Sequence, residues 1–378
     1  QTDRQTDRQT DRQTDRQTDR QTDRQTDRQT DRQTDRQTDR QTDRVVGYDW
    51  LRVLSTFMVV LIHVNAGFFM PRLEEGIVCT EYIVETYINF ITRFCVPCFV
   101  MLSGAFLLNQ PKNSDFRWFY KKAFRKIVVP YVPVCIFWII YWGIEDIAIG
   151  KDITSWLLRC IEGTYGNLWF MPMIIALYFI TPVLVRLKSV ISEKTFRNIG
   201  MVMMLWAVIS QGSSSYALPY SIGVAFSYLG YFFMGNILQN LPIMAKPHVK
   251  CWHCFLIIVF LTVLTVQYRL QGHTFYQSSP YSSFFSPTVA VMSCIIFCLF
   301  RNLEIRKEIG WMAGRTYYMY LIHTIVWYGV LFFRKDWLLF GNEVTTVFFL
   351  AVVVFIVSYL GAVFYERMCA GWCNRQIA

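Results

Sequence analysis

Apolar and polar positions divide the chain into a polar start and a long body in which apolar runs alternate with short polar connections. Residues 1–44 hold no apolar side chain, since they are eleven copies of the tetrapeptide QTDR. A helix that crosses the hydrocarbon core of a bilayer needs about 20 consecutive, mostly apolar residues. The body therefore predicts ten transmembrane helices, over residues 49–69, 86–108, 127–148, 168–186, 198–211, 222–239, 252–268, 286–301, 313–332 and 345–364.

This pattern predicts an all-α fold, a polytopic membrane protein built from two parts. Residues 45–378 form the membrane-embedded domain. Residues 1–44 form a disordered tail, because a segment without apolar side chains cannot offset the entropy that it loses on ordering. The stretch 198–221 fits the helical pattern least well, since its segment SQGSSSYALP is typical of a loop or of a re-entrant segment.

Lys and Arg are distributed unequally between the two sets of connections. The segments on the side of the N-terminus carry 18 of them, against six on the opposite side. Because cytoplasmic loops are enriched in Lys and Arg, we expect both termini in the cytoplasm. The net charge of +10 arises in connections between apolar runs, so it does not indicate a nucleic-acid partner.

The QTDR repeat also has an explanation at the level of the gene. The codons CAG-ACA-GAC-AGA encode Gln-Thr-Asp-Arg and are three copies of CAGA. A four-base repeat returns to the reading frame after twelve bases, so it encodes a tetrapeptide repeat. Slippage during replication changes the number of copies and switches expression on or off, so the tract predicts a phase-variable gene. The alternative is an ordinary charged, disordered tail.

Two ionisable residues, Arg52 and His63, lie inside the first predicted span. Their separation of eleven residues corresponds to three helical turns plus about 20°, so both side chains leave one face, about 16 Å apart along the axis. Ionisable groups within a span usually face the interior of the bundle and mark a pathway or a site. The alternative is that Arg52 reaches the lipid headgroups while His63 hydrogen-bonds a neighbouring helix.

Further candidates follow along the chain. Arg93 precedes the segment FCVPCFVMLSGAFLL, which contains Ser103, and the segment KKAFRKIVVPY places Lys122 and Arg125 ahead of or at the start of the third span. The segment HVKCWHC has two His and two Cys, but their spacing fits no standard zinc pattern, so we predict no metal site.

Several of these segments resemble, in the same order, the motifs of the acyltransferase type 3 family of bacterial integral-membrane enzymes. DWLRVLSTFMVVLIH is similar to the N-terminal signature, in which Arg, ten residues and His follow one another, and this pattern matches Arg52 and His63. RFCVPCFVMLSGAFLL resembles the Arg-x-x-x-Pro-x-Phe…Ser-Gly segment. KKAFRKIVVPY resembles the Arg-x-x-Arg-Ile-x-x-Pro-Tyr block, with Lys122 at the first Arg. LWFMPMIIALYFITPVL, YFFMGNIL and TYYMYLIH also match family segments, so the resemblance covers about residues 46–365.

The resemblance implies a membrane-bound O-acyltransferase that moves an acyl group, commonly acetyl, from cytoplasmic acyl-CoA to a cell-surface carbohydrate such as lipopolysaccharide or capsule. His63 and Arg52 are the implied catalytic residues, with His63 as general base or as carrier of the acyl group. Cations suit the phosphates of CoA. The implied residues for binding acyl-CoA are Arg93, Ser103, Lys122 and Arg125.

The implied location is the bacterial inner membrane. The implied partners are membrane lipids, acyl-CoA, a surface or lipid-linked glycan acceptor and, if the chain only relays the acyl group, a separate periplasmic transferase. Neither a metal nor a nucleic acid is expected. The main alternative is a transporter or flippase for a glycan or a lipid-linked precursor, in which the same polar residues line a pathway.

Overall fold

The computed structural model describes residues 45–75, 79–150, 154, 167–210, 220–242, 247–270, 284–303, 305–333 and 342–375. Residues Val46–Ala378 belong to one compact unit. Residues 1–44, predicted to be disordered, lie outside the described residues, as do residues 211–219 of the segment predicted to be a loop or re-entrant.

The regular structure of the described residues is helical throughout, because apolar runs in lipid must satisfy their backbone hydrogen bonds within the segment. The α-helices, numbered in chain order, are α1 Val46–Glu75, α2 Thr80–Ile91, α3 Cys95–Leu107, α4 Phe116–Ala123, α5 Val129–Ala148, α6 Phe170–Val190, α7 Glu193–Ser210, α8 Tyr220–Gln239, α9 Pro247–Leu270, α10 Pro287–Asn302, α11 Gly310–Ala313, α12 Thr316–Phe333 and α13 Glu343–Arg375.

Described helices coincide with each of the ten predicted spans, and the all-helical fold is confirmed. By length and composition, five described segments are able to cross a membrane: Val46–Phe68, Thr80–Leu107, Phe116–Ile144, Phe170–Val190 and Glu343–Ala370. Two further apolar helices, His253–Gln267 and Pro287–Asn302, are shorter. The count of ten crossings therefore stays a prediction.

Large apolar side chains cover the outside of the bundle. Phe179 on α6 is 70% exposed, Leu205 on α7 is 60% exposed and Leu360 on α13 is 61% exposed. Water-soluble proteins rarely expose apolar patches on this scale. The surface is the one expected of helices that are surrounded by lipid.

Helix α1 lies at the centre of the bundle, where it packs against α2, α3, α10, α12 and α13. It contributes four side chains to one apolar cluster, and α2, α12 and α13 contribute the others. The buried members of this cluster are Val60, Leu61, Val64, Phe68, Ile88, Trp327, Val347, Leu350, Ala351 and Val354. The central position of α1 places Arg52 and His63 among helices rather than in lipid.

Helices α3 and α8 approach each other closely because each has a glycine at the contact. A Cβ atom added to Gly104 would lie 1.8 Å from the carbonyl oxygen of Phe232, and one added to Gly235 would lie 1.8 Å from that of Met101. Small residues at helix crossings allow such backbone contact in membrane proteins. The contact fixes α3, which carries Ser103, against the rest of the bundle.

A polar cluster joins α6 and α8 to the end of α3. The side-chain oxygen of Asn109 accepts hydrogen bonds from Lys188 Nζ at 2.7 Å, Asn236 Nδ2 at 2.8 Å and Asn240 Nδ2 at 3.2 Å. Hydrogen bonds between helices hold a bundle together where burial of apolar surface adds little.

Candidate functional site

Arg52 lines a cavity of about 280 Å³ between α1, α3, α6 and α12, which we call the Arg52 cavity. Its guanidinium lies 4.7 Å from the ring centre of Phe106, and its Nη1 lies 3.8 Å from Oδ1 of Asp49. Ser103 lines the same cavity and donates from its hydroxyl to the carbonyl oxygen of Phe99 at 2.9 Å. The structure thus brings together two of the predicted site residues, Arg52 and Ser103.

His63 lines a second cavity, of about 380 Å³, which we call the His63 cavity. Its wall combines polar side chains with aromatic rings. The polar side chains are His63, Asn89, Arg93 and Asn167. Aromatic rings are contributed by Trp169, Phe284, Trp327 and Tyr328, among others.

The two cavities share four lining residues, Val59, Val96, Phe170 and Tyr320, which we call the partition. On α1, Val59 comes seven residues after Arg52 and four before His63, so all three lie on one helical face. With a rise of about 1.5 Å per residue, Val59 lies roughly 10 Å from Arg52 and 6 Å from His63 along the axis.

The other helices repeat this order of layers. On α3, Cys95 lines the His63 cavity, Val96 belongs to the partition and Ser103 lines the Arg52 cavity. On α12, Thr316 and Tyr317 line the Arg52 cavity, whereas Trp327 and Tyr328 line the His63 cavity, with Tyr320 between them. The partition is therefore one layer across the bundle, with Arg52 on one side and His63 on the other.

His63 contacts a second histidine, His323 on α12. Their ring centres are 5.2 Å apart and the ring planes are inclined by 41°. His323 is 1% exposed, and its Nδ1 lies 2.5 Å from the carbonyl oxygen of Tyr320, to which it donates. Its Nε2 is buried and has no hydrogen-bond partner among the described residues. His323 ends the segment TYYMYLIH, which resembles a family segment, and a histidine inside an apolar run is a signal of a site, but His323 is not among the predicted site residues.

Arg93 lies at the His63 cavity and apart from Arg52. The 3₁₀ turn Thr92–Phe94 positions it between α2 and α3. Its Nη2 and Nε donate to Oδ1 of Asn89 at 2.8 and 3.2 Å, and its guanidinium lies 5.2 Å from the ring centre of Phe284. A nearly buried guanidinium beside His63 is suited to stabilising negative charge. The predicted role of Arg93 in donor binding stays a prediction.

Lys122 and Arg125 line neither of these two cavities. Lys122 Nζ lies 4.5 Å from the ring centre of Trp118, whose ring Lys112 also contacts at 4.4 Å. Arg125 is exposed on the π-helix Phe124–Val128. The structure therefore does not bring Lys122 and Arg125 into the cavity of Arg52, and their predicted role in donor binding stays a prediction.

The π-helix nevertheless adjoins the Arg52 cavity through Ile127, which lines it. Pro130 has no backbone N–H, so the regular helical bond to the carbonyl of Lys126 is absent there. The hydroxyl of Tyr317, another residue of the cavity wall, donates to the carbonyl oxygen of Ile127 at 2.5 Å. π-helices are frequent at functional sites, and this one connects the cationic segment to the cavity wall.

Fold and site together define a helical membrane protein with a polar site at the centre of its bundle, between two cavities. Within the part of the chain that the structure describes, no group of three or more His, Cys, Asp or Glu side chains could hold a metal ion, and the prediction of a metal-free site stays a prediction.

A family model, the acyltransferase domain, matches residues 45–363. The chain belongs to this family and is a membrane acyltransferase, and the resemblance drawn from its motifs is confirmed. No curated protein and no solved structure gives a significant match.

Proposed function

We propose that this acyltransferase transfers an acetyl group from acyl-CoA to a hydroxyl group of a cell-surface carbohydrate, such as lipopolysaccharide or capsule, in the bacterial inner membrane. One observation carries the proposal: the cavity that holds Arg52 and the cavity that holds His63 meet at a single layer. A donor approaching on one side and an acceptor approaching on the other then place their reacting ends close together.

The Arg52 cavity is suited to the acyl end of the donor. Its volume of about 280 Å³ is near the lower limit for a ligand site, so it takes only part of a molecule as large as acyl-CoA. The phosphates of CoA then stay at the rim of the cavity, where Arg52 is one cation and Arg125, on the adjoining π-helix, is another. A guanidinium binds phosphate through charge-assisted hydrogen bonds.

The His63 cavity is suited to a carbohydrate. Rings such as Trp169 and Trp327 offer flat apolar faces, while Asn89 and Asn167 offer hydrogen-bonding groups for hydroxyls. Sites for polar small molecules commonly combine an apolar lining with a few convergent polar groups. This combination favours a sugar over a fully apolar acceptor.

The transfer needs a base, and His63 is the proposed one. As the acceptor oxygen attacks the thioester carbon, His63 takes the proton of the hydroxyl group. The new C–O bond forms, the carbonyl oxygen becomes an oxyanion near Arg93, and the C–S bond then breaks. The proton passes from His63 to the departing thiolate, so that the products are an O-acyl sugar and CoA.

The gene-level explanation of the QTDR tract supports a surface acceptor. A gene that is switched on and off suits a product that a host or a phage recognises. An acetyl ester removes a hydroxyl donor from such an epitope and adds a methyl group. O-acetylation of a surface glycan therefore agrees with a phase-variable gene. We expect the repeat number to vary between colonies, with acetylation present only where that number keeps the reading frame.

The first test replaces His63 with Ala and measures ester-linked acetate on surface glycans by mass spectrometry. General base catalysis contributes about 10²–10⁴-fold, so we expect acetylation to fall by that factor in His63→Ala. The matched control is His253→Ala, since His253 is exposed on α9 and lines neither cavity. Normal acetylation in the His63 variant, inserted at the level of the control, would disprove the proposed chemistry.

The second test separates an acyltransferase from a flippase by measuring the binding of acetyl-CoA to the purified protein. Loss of a charge-assisted hydrogen bond costs about 1.5–3 kcal/mol, so Arg52→Ala should bind acetyl-CoA roughly 10–100-fold more weakly. Arg197→Ala, which removes an exposed cation from α7, is the control and should bind as the unsubstituted protein does. A protein that binds no acetyl-CoA and whose deletion blocks glycan export would instead be a flippase.

A further inference from the structure

The partition has a composition that differs from both cavities. Three of its members, Val59, Val96 and Phe170, are apolar, and the hydroxyl of the fourth, Tyr320, donates to the carbonyl oxygen of Asn167 at 3.3 Å. The partition therefore presents methyl groups and rings, rather than free polar groups, to whatever passes between the two cavities.

The two aromatic members hold each other in place. The rings of Phe170 and Tyr320 meet edge to face, with centres 5.3 Å apart, and the ring of Phe99 packs against Phe170 at 6.3 Å. Phe170 is also the first residue of α6, so its backbone is anchored by the helix that follows. Tightly packed interiors resist even one added methylene group.

We propose that the partition selects the length of the acyl group. This inference rests on the proposed function, because it takes the Arg52 cavity as the donor side and the His63 cavity as the acceptor side. An acyl group that reaches His63 must place its carbonyl carbon within the layer of the partition. A two-carbon acyl group fits between the four side chains, whereas each additional methylene displaces Phe170 or Tyr320.

The orientation of His323 couples this selection to the chemistry. The ring of His323 contacts the ring of Tyr320, a member of the partition, with centres 5.4 Å apart, and it also contacts the ring of His63. An acyl chain that displaces Tyr320 therefore also displaces the histidine pair. Longer acyl groups are then disfavoured in the rate of transfer as well as in binding.

The test uses membrane vesicles that contain the full chain and its native surface glycan, supplied with equal concentrations of acetyl-CoA and butyryl-CoA. Mild alkali releases the ester-linked acids, and mass spectrometry gives the ratio of butyrate to acetate. A single methylene in an apolar pocket changes specificity about 10-fold or more. We expect acetate to dominate for the unsubstituted protein and the ratio to rise about 10-fold or more in Phe170→Ala.

Two further variants make the result independent of any one substitution. Val96→Ala enlarges the same layer from α3 with a smaller change, so it should raise the ratio in the same direction. Phe179→Ala is the matched control, because Phe179 lies on α6, is 70% exposed and lines neither cavity. This control should leave the ratio unchanged even if it lowers the total amount transferred.

The outcomes separate the inference from the proposed function. If the unsubstituted protein transfers acetate, and the ratio in Phe170→Ala and Val96→Ala equals that of the control, the partition does not select acyl length and the proposed function stands. Equal transfer of acetate and butyrate by the unsubstituted protein would also overturn the inference. If the vesicles transfer neither group from CoA to the glycan, the proposed function itself fails.

Discussion

The two ring nitrogens of His323 differ, because Nδ1 forms a hydrogen bond and Nε2 forms none among the described residues. Nδ1 donates to the carbonyl oxygen of Tyr320, so in the neutral ring the lone pair is on Nε2, which is buried beside His63 without a partner among the described residues. A buried nitrogen without a partner costs free energy, and in a native structure such a group calls for an explanation. We propose that His323 is a positioning residue, which orients His63 and supports it while it carries a proton.

We predict that His323→Gln lowers kcat by roughly 10²–10⁴-fold, since loss of the group that orients a catalytic imidazole costs up to about 10⁴-fold. The KM for acetyl-CoA should stay unchanged, because His323 lines neither the donor cavity nor its rim. Steady-state kinetics in detergent or in vesicles would measure both constants.

The control for this prediction is Thr324→Val, which alters the next buried side chain on α12, also without a hydrogen-bond partner among the described residues. A merely structural role of His323 would give both variants the same kinetics and the same loss of thermal stability. An unchanged kcat in His323→Gln would remove His323 from the mechanism.

Sequence reasoning reaches some of these residues and misses others for a physical reason. Arg52 and His63 belong to one helix, so the helical period alone predicts that they share a face. His323 joins the site through its contact with His63 on α1, and Phe170 joins it through contacts with Phe99 on α3 and Tyr320 on α12. Such contacts between distant segments leave no period in the sequence. The placement of Arg93 beside His63 depends likewise on how α2 and α3 pack.

At the scale of elements, the site depends on helices that have little freedom to shift. Helix α3 contributes Val96 and Ser103 to the cavities and is held against α8 by the paired glycine contacts of Gly104 and Gly235. The apolar pattern predicts that α3 and α8 exist. It does not predict that they touch, since many glycines in membrane helices face lipid instead.

Gly104→Ala tests this packing. The added methyl group would overlap the carbonyl oxygen of Phe232, so α3 and α8 must separate, and overpacking of this kind costs about 1–3 kcal/mol. We expect a lower midpoint of thermal unfolding in detergent and a loss of acyl transfer. Gly329→Ala on α12 is the matched control, because nothing lies within 4 Å of its added methyl group. Equal stability of the two variants would contradict the close contact.

At the scale of the whole molecule, the apolar runs predict the number of membrane crossings and the Lys and Arg residues predict their direction. Five described segments are apolar and long enough to cross, and α7, α8, α9, α10 and α12 coincide with the other predicted spans. The apolar helices His253–Gln267 and Pro287–Asn302 are shorter, and a short helix crosses a bilayer when neighbouring helices and local thinning of the lipid compensate for its length. A direct measurement is therefore needed.

Reporter fusions along the full chain provide that measurement. With ten crossings and both termini in the cytoplasm, fusions after residues 118, 190, 248 and 308 should report the cytoplasm. Fusions after residues 75, 155, 275 and 338 should report the periplasm. A cytoplasmic signal at residue 275 would show that the segment 198–221 does not cross as predicted.

The second prediction at this scale concerns the QTDR tract. The family match covers residues 45–363 and none of the repeat. We expect a chain that starts at residue 45, with a new initiator Met, to acetylate glycans at the rate of the full chain when the two are expressed at equal levels. A loss of activity at equal expression would give the tract a role in the protein, not only in the gene.

The partition described above also bears on the energy supply of the cell. A membrane enzyme can let protons leak across the bilayer. The risk is greatest when ionisable side chains lie at its centre and substrates enter from both faces. Two valines and two mutually packed rings form an apolar layer between Arg52 and His63, and we infer that this layer interrupts a continuous file of water. On the proposed function, the side chains that select the acyl group therefore have a second role: we expect them to limit the leakage of protons through the site.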